Sequence, residues 1–153
     1  MTAIARLAPD TLRPDRELAR FMDAAGGAGA VVSFVGIARP VSKTGEDVLG
    51  LFLDHHPRMT GPSLQAIADA ALARFDVSST CVVHRCGEVA PGETIVFAAA
   101  ASPHRRAAFL AADYLMDLLK TEAMFWKKER DRGDGRWIEP TEQDRADAAR
   151  WSQ

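Results

Sequence analysis

Cationic side chains recur at three points along one stretch of the chain: in Ser102-Pro103-His104-Arg105-Arg106, at Lys120, and in Phe125-Trp126-Lys127-Lys128-Glu129. Between the first two, Ala108, Phe109, Ala112, Leu115, Met116 and Leu119 follow the three/four spacing of a buried helical face. Ser102 and Pro103 predict the start of that helix, as its N-cap and first residue. His104 and Arg105 then fall in the first turn, where free backbone N–H groups and the positive end of the helix dipole favour an anion. An arginine adds a bidentate hold on phosphate or carboxylate. The chemistry these residues point to is capture of an anionic ligand.

The lysines that follow extend this reading. If residues 125–130 form a strand, Phe125, Lys127 and Glu129 share one face and Trp126, Lys128 and Arg130 the other. A lysine pair on a hairpin is more often a solvated edge than a site. Lys127, however, stands beside both an aromatic ring and a carboxylate. Burial lowers a lysine pKa and a carboxylate raises it, so Lys127 reads either as a fixed cation or as a nucleophile or base.

Other candidates carry less. Gly26-Gly27-Ala28-Gly29 follows a helical pattern and precedes a strand, the reverse of the order in a dinucleotide fingerprint, so it reads as a turn. Cys81, His84 and Cys86 lie close in sequence, but on a strand Cys81 faces away from the other two and no second ligand pair stands at a zinc-site spacing. No metal site and no cofactor is expected. Of His55 and His56, a strand end would turn one inward and one outward, and a histidine can also carry protons at neutral pH.

These residues need a scaffold, and 153 residues, 47% of them hydrophobic, suffice for one core. One domain spanning residues 1–153 is expected. A net charge of −2 gives no global reason for a nucleic-acid or anionic-membrane partner, so any positive site must be local. Two cysteines make no disulfide framework, and with no secretory signal or long apolar span the expected compartment is the cytoplasm.

The elements read as a strand at residues 4–7, a helix at 14–24 with Leu18, Phe21 and Met22 inward, and a buried strand at 30–37. A polar, mobile loop at 42–47 leads to a strand at 49–56, and Thr60 caps a helix striped by Leu64, Ile67, Ala68, Ala71, Leu72 and Phe75. Strands at 80–85 and 94–101 flank Ala90-Pro91-Gly92-Glu93 as a hairpin, and a second hairpin joins 125–130 to 136–139. The predicted class is α+β, with a mixed, largely antiparallel sheet and packed helices.

Taken together, Phe34-Val35-Gly36 with Arg39, Leu53-Asp54-His55-His56-Pro57-Arg58-Met59, His84-Arg85-Cys86-Gly87-Glu88, Ser102-Pro103-His104-Arg105 and Leu119-Lys120 through Glu129 stand in a family's order and spacing. On these segments the chain resembles the MoaE family, the large catalytic subunits of molybdopterin synthase, over nearly its whole length. The resemblance implies an α/β hammerhead with an additional β-subdomain. It implies conversion of cyclic pyranopterin monophosphate into molybdopterin, with both sulfurs taken from the thiocarboxylated C-terminal glycine of a small ubiquitin-like subunit, MoaD-like, whose tail enters a pocket. The implied assembly is a homodimer within a heterotetramer.

By the same resemblance Lys120 and Lys127 are the catalytic positions. Arg39, His104 and Arg105 bind the anionic pterin beside the Ile37-Ala38 backbone, and Lys128 and Glu129 line the pocket. Where the family often has Glu-His-Tyr, this chain has Asp54-His55-His56. A non-catalytic module that docks a ubiquitin-like tail is the alternative reading. His104 and Lys120 bracket one helix, ~24 Å apart at ~1.5 Å per residue, too far for one small pterin. Two geometries satisfy this, a site shared between two subunits or a long groove with substrate at one end and the partner tail at the other, and the shared site is the one expected.

Overall fold

The computed structural model describes residues 1–152. Its central strand is an uninterrupted apolar run, Phe97 to Ala101, every residue of which is fully buried. Such a run requires cover on both faces, and the chain supplies it. Strand β6 (Thr94–Ser102) lies in a four-stranded sheet between β4 (Ser79–Arg85) and β2 (Ala30–Ile37), antiparallel to both, with β1 (Thr2–Ala8) parallel to β4 at the far side. On one face, helix α1 (Pro14–Ala24) packs Phe21, with Leu12 and Ala25, against Cys81, Val83, Phe97, Ala99 and Ala101. On the other, α2 (Thr60–Arg74) and α3 (Arg105–Thr121) bring Leu64, Ile67, Leu115, Leu118 and Leu119 onto Val82, Val96 and Ala98. The alanines let the helices approach closely on both sides.

A second four-stranded sheet, entirely antiparallel, has the order β5 (Gly87–Val89), β3 (Gly50–His55), β7 (Phe125–Arg130), β8 (Arg136–Ile138). Its own small core of Leu51, Leu53 and Val89 takes in Ala38, while Phe125 packs against this cluster and the main one alike. Phe125 is therefore the seam between the sheets. A last helix, α4 (Glu142–Ala149), and a 3-10 turn at Arg150–Ser152 return to α3, where Arg150 pairs with Asp113 and Asp117.

The α+β class, the bounds of α1 and β2, the antiparallel pairing of β4 with β6 and the β7–β8 hairpin agree with the sequence reading, but β4 and β6 are not a simple hairpin, because the connection between them carries β5 into the second sheet. Several details differ. The strand at 30–37 is an edge strand, and Phe34, Val35 and Ile37 are 42%, 37% and 57% exposed, because apolar composition does not tell a buried strand from an uncovered one. Met22 and Phe109 point outward at 54% and 61% exposure, each one step off its helix's buried stripe. Helix α3 begins at Arg105 with His104 at the N-cap. Ser102 closes β6 instead, its hydroxyl donating to the Asp76 carbonyl at 2.7 Å and accepting the His104 amide at 3.1 Å.

Thr60 likewise does not cap α2. Its buried hydroxyl accepts the His56 amide at 2.8 Å and donates to the Met124 carbonyl at 2.6 Å, tying the end of β3 to the entry of β7. The polar loop at 42–47 is hydrogen-bonded within itself. Val48 N donates to Pro40 O at 2.8 Å, Ser42 N to Glu46 O at 2.8 Å, and Val41 bridges Asp47.

Candidate functional site

Helix α3 runs back along β6, so the two ends of the main sheet carry different parts of the predicted site. At one end Ala30 pairs with Ser102, and Gly29 lies directly against the Pro103 backbone. Here His104 and Arg105 project from the start of α3, both exposed. At the other end Ile37 pairs with Thr94 after a register shift at Gly36, Ala38 is buried, and Arg39 stands exposed just beyond. Lys120 lies in the last turn of α3. Seven strand steps at ~3.3 Å separate the two ends by ~23 Å. Within one chain, Arg39 and Lys120 therefore share an end with Lys127, and His104 and Arg105 do not.

Lys127 sits on β7 opposite Leu53 and Ile138 and is partly buried. Burial is the main reason its ammonium loses its proton near 8, against an ordinary 10.5; the Lys120 charge pushes the same way, and the Asp144 carboxylate opposes both. The carboxylate acting on Lys127 is thus Asp144 from α4. Glu129, the neighbour suggested by strand alternation, pairs with Arg136 at 3.5 Å. Burial alone would raise the Asp144 carboxyl, but hydrogen bonds from Thr141, with Lys120 and Lys43 nearby, outweigh it and hold the group below the usual carboxylate range. Lys128, on the opposite face, places Nζ 5.5 Å from the centre of the Trp137 ring.

His84 completes the cluster from the main sheet. Its ring stacks on Phe125 with centroids 4.1 Å apart and planes at 25°. Nδ1 lies 2.7 Å from the Arg85 carbonyl, and because a carbonyl only accepts, Nδ1 carries the hydrogen and Nε2 a free lone pair. Burial drives its pKa down to about 3, and the Lys127 and Lys120 charges add to the effect. His84 is neutral at any physiological pH. It faces away from Cys81, which packs on the α1 side with its thiol pushed up to about 11, mainly by burial; Cys86 is buried past the end of β4. His55 pairs across the sheet with Phe125, and His56 Nδ1 accepts the Arg58 amide at 3.1 Å, a local turn contact.

Sequence reasoning missed His84 as a neighbour of the lysines, and it missed Asp144 altogether. A signal for the second was present. Thr141 and Asp144 form a reciprocal capping box, with Asp144 N donating to Thr141 Oγ1 at 3.1 Å and Thr141 N to Asp144 Oδ2 at 2.9 Å, a pattern legible as Thr-x-x-Asp.

A lysine that titrates near 8, a second lysine and an exposed arginine can hold an anion and exchange protons with it near neutral pH. Fold and site define an α+β chain suited to receiving anions at one end of its sheets. The family model described as MoaE protein matches residues 7–122. The molybdopterin synthase catalytic subunit of Caulobacter vibrioides is 49% identical over 125 residues, 82% of this chain and 81% of that protein. Molybdopterin cofactor biosynthesis protein E from Burkholderia multivorans, 35% identical, superposes with a TM-score of 0.82 over 100% of this chain and 99% of the other. The Staphylococcus aureus molybdopterin synthase structure, 25% identical, gives 0.77 over 86% and 94%. The chain belongs to the MoaE family.

Proposed function

We propose that this chain is the catalytic subunit of a molybdopterin synthase, a cytoplasmic sulfurtransferase of molybdenum cofactor biosynthesis. Its substrate is cyclic pyranopterin monophosphate. Its sulfur donor is the thiocarboxylated C-terminal glycine of a small ubiquitin-like, MoaD-like subunit, and relatives that share almost half its sequence are named as catalytic subunits of that enzyme. The observation that carries the reading is the Lys120–Lys127 pair, with one ammonium held near 8 at the same end as Arg39. Both reactants are anions, a phosphate-bearing pterin and an acyl thiolate; once the sulfur has bonded to the pterin, water attacks the acyl carbon and breaks its bond to sulfur, leaving a carboxylate on the partner tail. Lys120 stands nearest the transfer and stabilises the charge that develops there. Lys127, close to neutrality in its titration, supplies protons and electrostatic support.

His104 and Arg105 enter this site from a second copy. Strand β2 is an exposed apolar edge, suited to pairing with its own copy across a two-fold axis. Antiparallel pairing of two such strands sets the Ala30 end of one beside the Ile37 end of the other. That brings the partner copy's helix start to Arg39, with the Ile37-Ala38 backbone between them and Lys128 and Glu129 at the rim.

The test combines the purified chain with a thiocarboxylated small subunit and the cyclic pterin, and measures dithiolene product as its fluorescent oxidised derivative. Product is expected, with a loss of at least about a hundredfold in Lys120→Ala. Tight partner binding without product would replace this reading with a docking module.

A further inference from the structure

Beside His84, on the opposite face of β4, Arg85 is only 4% exposed. Its guanidinium reaches into the turn between β5 and β6. Nη1 donates to Glu93 Oε2 at 3.0 Å and Nη2 to the Glu88 carbonyl at 2.9 Å, while Nε is buried without an acceptor. Burying an arginine with one donor unpaired is costly, and an apolar side chain of similar volume commonly serves stability as well or better. Fold stability alone is a poor reason for this residue.

The turn it grips has a second contact. Glu93, whose carboxylate Arg85 holds, accepts the Ala38 amide on its own carbonyl at 2.9 Å, and the Gly92 amide donates to the Ala38 carbonyl at 2.8 Å. Gly92 adopts φ +87°, a conformation that favours glycine, and so turns its N–H toward Ala38. Both backbone groups of Ala38 are therefore clamped by this turn, immediately after the β2–β6 ladder slips at Gly36 and Ile37. On the other side of Arg39, the Pro40 carbonyl is fixed by Val48 N. The Arg39 backbone is held between two anchored neighbours, and one of those anchors is secured from beneath by Arg85.

We propose that Arg85 is a positioning residue for Arg39, setting through Glu93 and the 92–93 clamp the place from which Arg39 meets the substrate's phosphate. The inference rests on the reading of Arg39 as a pterin anchor. Arg85 touches no reactant. Its effect falls on binding of the pterin and leaves the sulfur-transfer step untouched.

A double-mutant cycle on the assembled enzyme tests this, with KM and kcat for the cyclic pterin measured at saturating thiocarboxylated partner. Arg85→Met is expected to raise KM on the order of tenfold and leave kcat within about twofold. In an Arg39→Ala background the same substitution should add nothing further, because the residue it positions is gone. Glu93→Gln, at a side chain 38% exposed, should raise KM in the same direction by a smaller factor, and it carries the test if Arg85→Met does not fold. Equal KM increases with and without Arg39, or a loss of kcat and melting temperature at unchanged KM, would overturn the proposal. An Arg39→Ala enzyme with unchanged KM would instead refute the anchor reading itself.

Discussion

Replacing Lys127 with methionine should make the fold more stable near pH 7 while removing the proton donor of the proposed reaction. Methionine matches the unbranched stem of lysine and leaves nothing charged to desolvate. In the folded chain the ammonium gives up its proton near 8, in the unfolded chain near 10.5. The unfolded state therefore binds more protons between those values, and wild-type stability rises with pH across that window. Below 8 both states are charged and the folded protein bears the whole penalty. Two and a half pKa steps at ~1.4 kcal/mol each amount to roughly 3–4 kcal/mol, an upper figure because the partly buried amine keeps some contact with water. Urea denaturation of both proteins near pH 7 should show the variant ahead by up to this amount, shrinking to under ~1 kcal/mol near pH 10. A variant less stable than wild type near pH 7, or a difference that does not change with pH, would refute the assignment of Lys127 as a desolvated cation.

Thr60→Val keeps shape but strands the His56 amide and the Met124 carbonyl, both served by one hydroxyl that is completely buried. A loss of about 2–4 kcal/mol is expected, read from a thermal or urea melt; a loss below ~1 kcal/mol would mean the contact is dispensable. For the composite site, His104→Ala and Lys120→Ala protomers, each inactive alone, should regain activity in verified mixed dimers through one intact site per dimer. No recovery would place both residues' roles within a single chain.

What could be read from the sequence depended on how local the determinants are. Helix α1 announces itself by Pro14 at its first position and an apolar stripe, and β2 by a dense β-branched run, so their limits agree residue for residue with the structure. The three-residue strand β5 is too short to show a period, and the partition into two sheets depends on Phe125 and Ala38 joining distant segments. Lys120 and Lys127 were visible as cations near one helix end. The depressed proton affinity of Lys127 was not, because burial, a lysine from α3 and a carboxylate from α4 combine to set it. His84 drew notice for its neighbouring cysteines and as part of the His84–Glu88 segment, whereas its true companion, Phe125, lies forty-one residues away in sequence and 4.1 Å away in space.

Those two cysteines have a bearing on oxidation. Both thiols are buried and both titrate above their usual value, mainly through burial, so neither presents the thiolate that peroxide, disulfides or alkylating agents attack. For the proposed transfer this means that sulfur passes over a protein surface with no competing sulfur nucleophile of its own. A persulfide relay through Cys81 or Cys86 is therefore disfavoured, and the proposed transfer runs from the partner's tail to the pterin without a sulfur carrier on this chain.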